Sequence, residues 1–159
     1  MADNSWHEFL ENIRKAKEKL KFEKNEECFY RGHPDNTWQL SPGLFRDMPK
    51  TKNNLITRDS WWTESDLYYE FRSRARVLHN NSLTDWDVLF FMQHHGVKTR
   101  LLDWSESLGP AIYFALIGCK EPGYGQPCIW LLNPYGLNEK FHDGRELWSP
   151  ENLDTYSPK

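Results

Sequence analysis

The sequence predicts an α+β fold: a single domain with a short mixed or antiparallel sheet and about four helices. Three observations predict it. A chain of 159 residues suits one domain of ordinary size. Segments with helical apolar spacing interleave with short β-like runs. Aromatic residues make up 15% of the chain, which separates it from disordered chains of similarly low mean hydropathy, here -0.81. Each such ring can bury about 150–250 Å².

The first helix is predicted from Ser5-Trp6-His7-Glu8, which has the S-x-x-E form of a capping box. Trp6, Phe9, Leu10, Ile13 and Leu20 follow at helical spacing, as a stripe that docks on a core. Cys28 to Gly32 reads as a short strand, ended by the turn residues His33-Pro34-Asp35-Asn36. Thr37-Trp38-Gln39-Leu40 reads as a second strand, and Ser41 to Asn54, with two Pro and a Gly, as a long loop.

A second helix begins near Thr63 or Ser65 and carries Leu67, Phe71, Ala75 and Leu78, until Asn80-Asn81 breaks it. Thr84-Asp85-Trp86-Asp87 opens a third, whose Trp86 to Met92 is apolar on nearly every side and therefore expected to be buried. Gly96 stops it, and Lys98 to Trp104 is extended. Ser107 precedes a fourth helix with Pro110 in its first turn; Ala111 to Ile117 marks it as a core helix. After a turn at Glu121 to Gly125, Gln126 to Leu132 is a strand ended by Asn133-Pro134. The rest, from Leu137 onward, is polar and resists placement.

Composition excludes several classes. Twenty Lys and Arg against 23 Asp and Glu give a formal charge of -3, so the excess cation charge of a general nucleic-acid or membrane-surface binder is missing. Arg72, Arg74 and Arg76 form a local basic run, but only the first and last share a helix face, as on an ordinary solvated surface. The longest apolar run, Ala111 to Ile117, is far short of the roughly 20 residues of a membrane span. Three dispersed cysteines, Cys28, Cys119 and Cys128, fit a reducing compartment, and the N-terminus lacks the apolar stretch of a secretory signal. A cytoplasmic protein is expected.

Two segments put polar groups where a purely structural element would put apolar ones. In Phe29-Tyr30-Arg31-Gly32-His33, strand geometry places Phe29 and Arg31 on one face and Tyr30 on the other. An Arg on a face shared with Phe is costly unless it has an anionic partner, and Gly32 permits close backbone approach. Arg31 is read either as a guanidinium offered to a phosphate or carboxylate, or as an Arg paired to a structural Asp.

The second segment is Gln93-His94-His95-Gly96-Val97-Lys98-Thr99-Arg100-Leu101-Leu102-Asp103-Trp104-Ser105. Adjacent histidines diverge on a helix, which disfavours a metal site, and no metal is expected. It is either a core network, with His94 or His95 hydrogen-bonded inside and Arg100 and Asp103 as a buried pair, or a polar cleft lined by Gln93, His94, His95, Thr99 and Arg100. Serine-hydrolase elbow, P-loop and Rossmann glycine patterns are missing from the sequence.

Tyr30-Arg31-Gly32, Trp38 to Arg46, Gln93 to Ser105 and Ala111-Ile112-Tyr113-Phe114-Ala115 resemble the FRG domain in order and spacing, over roughly residues 6–134. Residues 135–159 stand as an unplaced tail. FRG domains occur in bacteria and phages, often in defence settings, and their Y-R-G strand is similar to the first motif of arginine-specific ADP-ribosyltransferases. The resemblance thus implies an ADP-ribosyltransferase-like fold, NAD as substrate and a toxin or phage-defence role. It also implies site residues. Arg31, flanked by Gly32, would contact the pyrophosphate; His94, Thr99 and Arg100 would line the nicotinamide-ribose side; Tyr30 or Trp104 would stack on a ring. Gln93, His95 and Asp103 complete the expected cleft.

The family pattern continues with a C-terminal segment that has no counterpart after Pro134, and of the late glutamates Glu139, Glu146 and Glu151 none sits in a strand. A shortened form is therefore expected, inactive or completed by a partner protein. The rival expectation is a non-catalytic module that recognises a protein or nucleotide.

Overall fold

Two strands, β1 (Phe29–His33) and β2 (Cys128–Leu132), pair antiparallel, with Tyr30 opposite Leu131, Arg31 opposite Trp130 and Gly32 opposite Ile129. The computed structural model describes residues 2–46, 58–78, 83–119, 125–142 and 144–150. Among them stand six helices: α1 (Ala2–Lys19), α2 (Gly43–Arg46), α3 (Arg58–Leu78), α4 (Asp85–His94), α5 (Leu108–Ile117) and α6 (Pro134–Phe141). The expected α+β class is the observed one. The break at Asn80-Asn81, the turn 121–124 and Glu151 lie outside the described residues.

The chain divides into two compact units, Met1–Gln39 with Asp103–Leu147 and Leu40–Leu102 with Trp148–Lys159.

The core of the first unit lies under one face of the sheet. Cys28, Tyr30 and Ala111 are buried there, with Ile13, Leu20, Phe22, Leu108, Ile129 and Leu131 packed around them. Small residues permit that packing. A Cβ on Gly32 would stand 1.8 Å from the Ala111 carbonyl oxygen and 2.7 Å from the Ala115 nitrogen, so the bare Gly32 backbone lets α5 sit directly on β1. α5 was expected to be a core helix, but only Ala111 and Ala115 are buried. Tyr113, Phe114, Leu116 and Ile117 are each more than half exposed. A helix brought this close can bury only its small-residue stripe; the large side chains point away.

α1 begins at Ala2, ahead of the expected capping box, so Ser5 lies inside the helix. Ile13 reaches the core, while Trp6 and Leu10, at the far end of the stripe, are exposed. Asn133, 7% exposed, fastens the other end of the unit: its Oδ1 accepts from Gly136 N at 2.9 Å to cap α6, and its Nδ2 donates to Leu20 O at 2.9 Å. α6 therefore occupies part of the segment that the sequence pattern left unplaced.

The expected strand Thr37–Leu40 does not form. Asp35 Oδ1 accepts from both the main-chain N–H and the hydroxyl of Thr37, and Trp38 N donates to Asp35 O at 3.2 Å. This side-chain-stabilised turn takes the backbone donors a strand would need.

In the second unit Tyr68, Val88, Leu89 and Met92 make the buried core between α3 and α4. Thr84 and Asp87 form a reciprocal capping box at the start of α4. Its end is a Schellman motif: Gly96 at φ +75°, with Gly96 N donating to Gln93 O and Val97 N to Met92 O. α4 is less buried than expected, since Phe90 is 46% exposed. Residues 43–46, read as loop, form the short helix α2, which buries Leu44.

Candidate functional site

β1 presents Arg31 on the sheet face opposite the core, as strand periodicity predicts. His33 shares that face two residues on, and Trp130 lies across from Arg31 on β2. Arg31 Nη1 donates to the Asp103 main-chain oxygen at 2.5 Å and Arg31 Nε to His33 Nε2 at 3.2 Å. Trp130 Nε1 lies 3.1 Å from the other ring nitrogen, His33 Nδ1. Trp38 packs against the same imidazole, with ring centroids 6.2 Å apart. His33 is buried and Arg31 half-buried.

The segment that supplies the Asp103 carbonyl is tied to the far edge of β1. Tyr30 N donates to Ser105 O at 2.8 Å and Ser105 N to Tyr30 O at 2.9 Å. Asp103 thus meets Arg31 through its main chain, whereas the expected structural pairing used an Asp carboxylate.

In the second unit, Glu64 of α3 has no exposed surface and accepts from Arg100 twice, from the main-chain N–H at 3.0 Å and from the guanidinium, with which it forms an ion pair. The sequence paired Arg100 with Asp103; the structure pairs it with Glu64. Thr99 is likewise sealed. Its hydroxyl donates to Gln93 Oε1 and accepts from Leu101 N, and its carbonyl accepts from Leu44 N. This lattice of bonds holds the extended segment 98–102 against α2, α3 and α4.

The predicted residues therefore separate by environment. Tyr30 was expected to stack on a ligand ring, yet it is 8% exposed inside the α5 core. Gly32 makes its close approach to α5. Thr99 and Gln93 hydrogen-bond each other, and Arg100 braces Glu64. His94 and His95 are exposed, their rings edge to face at 5.4 Å; Trp104 is half-buried. Tyr30, Arg31, Gly32, Asp103 and Trp104 belong to the first unit, and Gln93, His94, His95, Thr99 and Arg100 to the second.

Sequence reasoning missed Glu64, His33 and Trp130. A signal existed for the first two. Glu64 precedes Leu67, Tyr68 and Phe71 by three, four and seven residues, which is the apolar stripe of α3. His33 falls on the Arg31 face by simple alternation. Trp130 could be placed only once the register of β2 was known.

A family model of the FRG domain matches residues 26–122, more than half of the chain. The chain belongs to the FRG domain family. The match runs from just before β1 through α5 and so takes in Arg31, Glu64, the 93–105 segment and the Gly32–Ala111 contact. No curated protein and no solved structure matches the chain. Among the described residues of this FRG protein, no helix is long and apolar enough to cross a membrane.

Proposed function

We propose that this FRG domain binds a dinucleotide of the NAD type through Arg31 and consumes it, as a cytoplasmic effector in a toxin or phage-defence system. The single observation that carries the reading is the setting of Arg31. Nε and Nη1 donate to an imidazole and a carbonyl, and these bonds orient the guanidinium. A planar cation held in this way is suited to two oxygens of a pyrophosphate. Trp38, 43% exposed, lies against the His33 ring and offers an apolar surface for a base or ribose.

The chemistry implied is cleavage of the glycosidic bond between nicotinamide and its ribose in the dinucleotide: nicotinamide leaves with the bonding pair, and water or an acceptor supplies the pair that forms the new bond at the sugar carbon and gives up its proton. His94 and His95 of the second unit are exposed and able to move a proton. Glu139, a late carboxylate, is engaged with Arg145, and a partner protein that supplies a carboxylate would complete the site.

A second reading, a binding module without catalysis, is favoured by one observation. Thr99 and Arg100, inside the central run that resembles the family, are spent on a buried bracing network, which serves a scaffold as well as an enzyme.

Calorimetric titration of NAD into wild type and Arg31→Ala, with melting temperatures of both and chromatographic detection of released nicotinamide, tests the two readings. Binding lost in a normally folded Arg31→Ala, with nicotinamide released by wild type, is the expected result. Binding without release supports the module. No binding by wild type, or equal binding by both, rejects the nucleotide reading.

A further inference from the structure

We propose that His33 is the positioning residue for Arg31, acting as a neutral imidazole with its proton on Nδ1 and its Nε2 lone pair accepting from the guanidinium. The proposal rests on the reading of Arg31 as the anion contact. Its ground is a donor imbalance. Arg31 Nε lies 3.2 Å from His33 Nε2, and Trp130 Nε1 lies 3.1 Å from His33 Nδ1. Both of these groups are donors only. A neutral imidazole carries one lone pair for acceptance and a protonated ring carries none, so His33 serves one of the two donors at a time.

A hydrogen bond from a charged donor is roughly twice as strong as a neutral one, so the lone pair goes to Arg31 and the ring proton faces the indole. The ring itself has little freedom: His33 is 5% exposed and lies against Trp38 and Trp130, at centroid distances of 6.2 and 6.0 Å. With Nε fixed by His33 and Nη1 fixed by the Asp103 carbonyl, the plane of the guanidinium is determined. The guanidinium is thereby oriented before any ligand arrives, which removes an ordering cost from binding.

Long-range proton–nitrogen spectra of the labelled, intact chain at neutral pH report which ring nitrogen of His33 is protonated. Exchange of the Arg31 Nε proton with solvent reports how firmly it is held. NAD is then titrated calorimetrically into wild type, His33→Gln and His33→Leu; the Gln side-chain oxygen can accept the same proton, and Leu cannot. The expected results are an unprotonated Nε2, Arg31 Nε exchange faster by about tenfold or more in His33→Leu, a loss of NAD affinity of similar size there, and recovery to within a few-fold in His33→Gln.

A protonated Nε2, or unchanged Arg31 exchange in a folded His33→Leu, overturns the proposal. If His33→Leu does not fold, the wild-type ring protonation and the His33→Gln variant decide. If wild type binds no NAD, the nucleotide reading fails separately, and His33 is judged on the Arg31 proton alone.

Discussion

Glu64, with no exposed surface, receives both the main-chain N–H and the guanidinium of Arg100, thirty-six residues further along the chain. One carboxylate of α3 thus anchors the extended segment that follows α4. The pair is asymmetric: the Arg100 side chain keeps 25% of its surface and Glu64 none.

That asymmetry predicts the ordering of two variants. Arg100→Ala leaves a buried carboxylate without its counter-charge and should cost about 3–5 kcal/mol of stability. Glu64→Gln removes the charge from the buried position, retains an oxygen for the Arg100 main-chain N–H and should cost less. Urea unfolding of both proteins measures the difference, and a larger loss in Glu64→Gln would contradict the geometry.

Gly32→Ala tests the packing of α5 on β1. The added methyl would meet the Ala111 carbonyl oxygen, which is main chain and has no rotamer by which to yield. Overpacking of about 3 kcal/mol or more is expected, with loss of the native melting transition or a large fall in its midpoint. Gly43→Ala, at a position where a Cβ meets nothing within 4 Å, serves as the control and should leave the melting temperature nearly unchanged.

Acid should weaken the fold through lowered carboxylates. The hydrogen bond from Arg145 holds Glu26 below its ordinary value of 4.5; the Thr84 hydroxyl and main-chain N–H do the same for Asp87, ordinarily 3.8. Each carboxylate binds its proton less readily when folded than unfolded, so its contribution is complete above the ordinary value and is lost as pH falls through the lowered one. Urea midpoints taken from pH 6 to pH 3 should decline mainly below about 4.5. Arg145→Gln should flatten the part of that decline due to Glu26.

Asn133 joins two jobs that substitution can separate. Asn133→Asp keeps an oxygen to cap α6 at Gly136 but loses the donor to Leu20 O, whereas Asn133→Ala loses both. The alanine variant should lose about 2 kcal/mol and the aspartate variant less, as read by chemical denaturation. Equal losses would mean that the cap contributes nothing.

How much of this was legible beforehand follows from what each residue depends on. α4 could be placed closely because its signals are local: the Thr84-Asp87 box begins it and Gly96 ends it in a left-handed turn. The Arg31 face was legible because alternation along a strand needs no partner. The strand expected at Thr37–Leu40 failed because the Asp35 side chain captured its donors, a competition that residue propensity does not express. The burial of α5 was overestimated for a related reason: apolar composition says which residues prefer to be covered, and only the Gly32 contact says which side is.

By itself the sequence determined the α+β class, the sheet face that Arg31 occupies and membership of the FRG family, all of which reside in local periodicity and motif order. Tertiary structure alone decided that Arg100 belongs to Glu64, that Tyr30 is core and that His33 and Trp130 stand around Arg31. The physical reason is that a hydrogen bond between residues far apart in the chain depends on strand register and helix placement. Those are set by the summed burial of many side chains, of which no single segment carries the record.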